Sequence, residues 1–103
     1  MKPWQIILAH FYLDDSKRIN RQPKHFKTEV FEYDDKNEAI RNYLAIVNEW
    51  MDKCEDNYKN HGMAAWKMYT ESEEGDIMTN ILLHFNGEEY DQLTDKEIEE
   101  AMK

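Results

Sequence analysis

Eight residues in the last third of this chain have the types and spacing that bind rather than catalyse: Glu71, Glu73, Glu74 and Asp76 around one glycine, then Glu88, Glu89, Tyr90 and Asp91. Carboxylates clustered with an aromatic suit the capture of a basic protein surface. The arrangement fits charge complementarity, with fast association that weakens as salt rises. Residues 71–103 carry eleven acids against two bases, whereas residues 1–28 carry six bases against two acids. The chain is therefore bipolar around a net charge of −9. That excess of acid argues against direct nucleic-acid contact, because phosphates need Lys and Arg. It argues equally against an anionic membrane surface.

Other chemistries find less support. His10 and His84 fall inside apolar runs, where an imidazole satisfied by one hydrogen bond is the expected state. Whether the two meet depends on strand register. Cys54 falls on an apolar helical stripe, far from a helix N-terminus that would activate a thiolate. A calcium loop running from Thr70 through Gly75 fails at its twelfth position, where Ile81 stands in place of a bidentate Glu. Asp15-x-Lys17 lacks the upstream acid of a metal-dependent nuclease. Asp14, Asp15, Asp34 and Asp35 flank strand ends at no enforced spacing. Three glycines supply no phosphate-cradling loop. The basic stretch 17–27 could touch phosphate, but an ordinary loop is the expectation.

The elements that hold these residues follow from periodicity. Residues 4–13 are apolar on both alternating faces, the mark of a central or doubly covered strand. Residues 26–33 form a second strand. Asp35 with Glu38 opens a helix through an Asp-x-x-Glu capping box. Ile40, Leu44, Val47, Met51, Cys54 and Tyr58 give it an apolar stripe that extends to Gly62. Strands at 63–70 and 77–85 are joined by the 73–76 turn, and Asn86-Gly87 is a hairpin turn that returns an edge strand over 88–93. Thr94 and Glu97 cap a last short helix, with Leu93 and Ile98 as its staple.

The expected architecture is a single two-layer α+β domain. A mainly antiparallel sheet of four or five strands packs against one long amphipathic and one short C-terminal helix, in the order β-β-α-β-β-(β)-α. A length of 103 residues suits one core without metal or disulfide support. The functional expectation is a small acidic protein-binding module of inhibitor, immunity or antitoxin type. It would cover a basic surface of its target, such as a nucleic-acid-binding enzyme, without catalysis, cofactor or metal. Two alternatives remain: a small metal-dependent hydrolase using clustered carboxylates, and a structural subunit that pairs through the sheet edge near Tyr90. With no apolar segment of membrane-spanning length, a cytoplasmic location is the expectation.

Overall fold

A computed structural model describes residues 2–13, 24–59, 63–72, 75–91 and 93–103. The strands are β1 (Trp4–Leu13), β2 (Lys24–Tyr33), β3 (Asp56–Lys59), β4 (Ala65–Ser72), β5 (Gly75–Phe85) and β6 (Glu88–Glu89). The helices are α1 (Lys36–Lys53) and α2 (Asp95–Ala101). All ladders are antiparallel, in the order β2-β1-β5-β4-β3, with β6 added to β5.

Strand alternation decides which side chains enter the core. Trp4, Ile6, Leu8 and His10 of β1 are buried beneath α1, whereas Gln5, Ile7, Ala9 and Phe11 lie half-buried on the other face. Opposite residues in an antiparallel ladder share a face. Leu83 pairs with Ile6 and Ile81 with Leu8, so both also enter the core. From α1, Ala39, Ile40, Tyr43 and Val47 recur at helical spacing and close the layer together with Met68. Each large apolar side chain so buried contributes about 1.5–3 kcal/mol.

The ends of α1 are chemically marked. The Asp35 side chain accepts from the Glu38 N–H at 2.9 Å. At the other end the helix stops well before Gly62. Cys54 is extended at φ −104°, and β3 follows at once. The apolar stripe therefore ends at buried Cys54, and Tyr58 is 58% exposed. Ladder bonds of residues 56–59 to β4 replace the helical bonds that spacing alone suggested. This makes a sixth strand beyond the four or five expected. The return strand is also shorter, covering only Glu88–Glu89. Tyr90 then leaves the ladder with both backbone groups engaged: its N–H donates to Leu83 O and its carbonyl accepts from Ala64 N. The Asn86-Gly87 turn has both residues at positive φ, 52° and 83°, as a two-residue hairpin of this twist requires.

The short α2 carries a complete capping box between Thr94 and Glu97. It is tied to α1 by Arg41 Nη1 donating to the Ala101 carbonyl at 3.0 Å. No helix among the described residues is long and apolar enough to cross a membrane.

Ile81 is fully buried where β5 meets β1, β4 and the helical layer. Ile81→Ala is expected to cost about 2–5 kcal/mol, whereas Val30→Ala, at a half-exposed position, should cost less than about 1 kcal/mol. Paired denaturant melts check both values.

Candidate partner-binding site

At one end of the sheet, two ladders joining three strands bring acids and tyrosines onto one face. Asp56 of β3 stands opposite Tyr69 of β4, Tyr69 opposite Met78 of β5, and Glu71 opposite Asp76. Tyr58 lies two residues beyond Asp56, so it shares this face, turned away from the helices. Glu55 is anchored just before β3 by its N–H donating to Tyr69 O at 3.0 Å. These side chains, with Thr70, line a cleft of about 350 Å³. The Tyr58 and Tyr69 rings meet edge to face with centroids 5.7 Å apart.

The cleft concentrates negative charge. Glu55, Asp56 and Glu71 are exposed and Asp76 is half-buried. Among the described residues, no Lys, Arg or His forms an ion pair with Glu55, Asp56 or Glu71. Aromatic faces attract cations by a further 0.5–1 kcal/mol or so at exposed sites. Exposed carboxylates beside aromatic faces are groups that attract guanidinium and ammonium ions.

Of the eight residues singled out by sequence, Glu71 and Asp76 enter this cleft, and Glu73 and Glu74 lie outside the described residues. By spacing alone Glu55, Asp56 and Tyr58 fall within the helix expected up to Gly62 and Tyr69 within the strand over 63–70, and neither element by itself brings them together. An alternation signal existed, since Asp56/Tyr58 and Tyr69/Glu71 each repeat at a spacing of two.

Glu88, Glu89, Tyr90 and Asp91 line a different hollow with Phe85, Thr94 and Glu97, of about 560 Å³. It lies at the far end of β5. Nine residues of extended chain separate Asp76 from Phe85, roughly 30 Å. The single carboxylate face expected from sequence is therefore two separate places.

Tyr90 also holds a structural post. Its ring packs 5.3 Å from that of Trp4, and its hydroxyl donates to Glu97 Oε2. Lys36 Nζ reaches the same oxygen at 2.9 Å. Partial burial pushes the Glu97 carboxyl up, but hydrogen bonds from Tyr90, Lys36 and Thr94 outweigh it and bring the group down to about 2.

The histidines separate cleanly. His10 pairs with Thr79, whereas His84 pairs with Gln5 on the opposite face, so they do not meet. His10 makes two contacts where one was expected, Nδ1 to Thr79 Oγ1 at 2.8 Å and Nε2 to Glu29 Oε2 at 2.9 Å. His84 Nε2 is buried without a hydrogen-bond partner, contrary to the one expected. The hydrogen bond from His10 holds the Glu29 carboxyl below its ordinary range. Although Thr79, His10 and Glu29 form a hydroxyl–imidazole–carboxylate chain, the Thr79 side chain belongs to a residue only 1% exposed. A substrate cannot reach that hydroxyl in this conformation.

Burial pushes the Cys54 thiol above its ordinary value, which disfavours the thiolate. Asp35 serves as a helix cap, and Asp34 pairs with Lys2 at 3.7 Å. Asp14, Asp15 and Lys17 lie outside the described residues, as does the basic stretch apart from Lys24, His25, Phe26 and Lys27. Among the described residues, no group of three His, Cys, Asp or Glu side chains converges as a metal site would require. Comparisons with family models, curated proteins and solved structures found no match to this chain.

The Glu97 clasp has a signed pH dependence. Its folded carboxyl lies below the ordinary 4.5, so its stabilisation is complete above about pH 4.5 and disappears as pH falls towards 2. Tyr90→Phe is expected to cost about 1.5–3 kcal/mol near neutral pH and to flatten the acid limb of the stability curve. Denaturant melts from neutral pH down to acid check this.

Proposed function

We propose that this protein is a binding module of inhibitor or immunity type, whose acidic, tyrosine-lined cleft takes basic side chains of a partner protein. The observation that carries this reading is the convergence of Glu55, Asp56, Glu71 and Asp76 on the Tyr58–Tyr69 pair within one cleft. An arginine entering there meets carboxylates for its hydrogen-bonding fork and a ring for its planar face. A nucleic-acid-binding enzyme is a fitting target class, because its basic surface is shaped for an array of negative groups. Carboxylates in the cleft would then stand where phosphates otherwise bind.

The second acidic hollow belongs to the periphery of this reading. Tyr90 and Glu97 already serve to dock α2, leaving Glu88, Glu89 and Asp91 to contribute long-range attraction. Such rim charges mainly change the association rate, whereas charges inside the contact mainly change dissociation.

The test uses a short arginine-rich peptide as probe, followed by fluorescence anisotropy across a salt series. Binding should be measurable at low salt and weaken steeply as salt rises. Asp56→Lys combined with Glu71→Lys should weaken it at least about tenfold, roughly 1.4 kcal/mol. Glu88→Lys combined with Glu89→Lys should have a smaller effect, confined to the association rate. Equal affinity for wild type and the Asp56/Glu71 variant would remove the cleft from the mechanism.

A further inference from the structure

The two outer edges of the sheet are unlike. One is β3, four residues long and largely polar. The other is β2, ten residues long and, among the described residues, hydrogen-bonded on one side only, to β1. A strand of that length offers about 33 Å of backbone N–H and C=O groups along its free edge. It also displays Phe26 at 42% exposure, Val30 at 50% and Phe31 at 41%, which are half of the six exposed large apolar side chains described. Long apolar edges are ready templates for strand addition.

We infer that β2 pairs with β2 of a second copy of this chain, antiparallel, about a two-fold axis near Thr28. Charge order along the strand selects this occupant. Lys24 and Lys27 lie before Thr28, and Glu29 and Glu32 lie after it. A two-fold axis at Thr28 lays the basic half of one strand along the acidic half of the other. Lys27 then faces Glu29 of the second copy twice over, once on each side of the axis. Moving the axis by one residue puts Lys27 opposite Lys27, or Glu29 opposite Glu29, and like charges directly opposed are destabilising. A self-complementary patch of this kind is what an isologous dimer requires.

The strand has one irregularity. The β1–β2 register shifts between His10 and Phe11, so that Phe26 is an extra residue in β2. Both Phe26 and Lys27 then lie towards the helical side, where the Phe26 ring stacks on Tyr12 at 4.0 Å. Beyond this bulge the match is between charged halves rather than between single residues. Bulges and edge lysines ordinarily discourage indiscriminate pairing. Here they leave one favourable alignment out of several. The dimer would join two sheets through their β2 edges, with the β3 edges and their acidic clefts at the two far ends. This inference stands on β2 alone and holds whether or not the clefts bind a basic partner.

Light scattering coupled to size exclusion tests it on the whole chain over a range of concentrations. The mass should rise from 12.5 kDa towards twice that value as concentration increases. Val30→Lys should remain at the monomer mass while keeping the wild-type circular dichroism and the melting temperature of dilute, monomeric wild type, since Val30 is an exposed side chain and only association adds to wild-type stability. Lys24→Glu and Glu32→Lys should each weaken the dimer, and their equimolar mixture should restore it, because each supplies the charge the other lacks. A monomer mass at every wild-type concentration would overturn the inference. So would a Val30→Lys variant that dimerises like wild type, or a mixture no more dimeric than its separate components.

Discussion

The antiparallel pairing of β1 with β5 is the contact on which the rest of the molecule depends. It runs unbroken from Trp4 opposite Phe85 to Leu13 opposite Asp76. Each pair places two side chains on the same face, so this one register determines what lies under α1 and what lies on the far side. Ile6, Leu8, Ile81 and Leu83 meet the helix because of it. A slip of β5 by one residue would turn Ile81 and Leu83 outward and bring His84 and Asn80 towards the core. The same register carries Thr79 to His10 and, through the β1–β2 ladder, allows Glu29 to reach the other ring nitrogen. Three strands are thereby joined by one polar chain, buried at Thr79 and His10 and reaching the surface at Glu29, as well as by their backbones.

Because β5 is long, its two ends serve different purposes. Near Gly75 the strand meets β4 and β3 in the cleft of acids and tyrosines. Near Phe85 it turns back through Asn86-Gly87, and Tyr90 fastens α2 by contacting Trp4, Glu97 and Lys36. Negative charge at the first end has no cation bound to Glu55, Asp56 or Glu71 among the described residues. At the second end Glu97 is neutralised by Lys36, and its hydrogen bonds are internal. Glu88, Glu89 and Asp91 at that end remain exposed, so it is Glu97 alone whose charge is taken up internally, a distinction that composition does not record.

The edges follow from the same sheet order. Among the described residues, interior strands β1, β5 and β4 have neighbours on both sides, leaving β2 and β3 at the two ends of the strand order, with the two-residue β6 beside β5. A short polar edge beside an acidic cleft and a long apolar edge with ordered charge impose different constraints on what can approach. On the readings proposed above, the first takes a basic group from one face and the second a strand lying alongside, whose own backbone satisfies the open hydrogen bonds.

Local chemistry made much of this legible in advance. The period of two in residues 4–13, the Asp35 and Thr94 caps, the Asn86-Gly87 turn and the concentration of acids after residue 70 all depend on near neighbours in the chain. By themselves they determined an α+β domain with a central first strand, one long helix, a short capped helix and an acidic C-terminal third. Tertiary pairing decided the rest. Residues 56–59 carry spacing that suits helix and strand alike, and only the presence of β4 alongside made them a strand, ending α1 at Lys53. The separation of the two acidic clusters, the parting of His10 from His84 and the recruitment of Glu55, Asp56 and Tyr58 beside Glu71 are consequences of strand order and register. Those are relations between segments distant in sequence, settled by which faces can be buried together, and no single segment contains them.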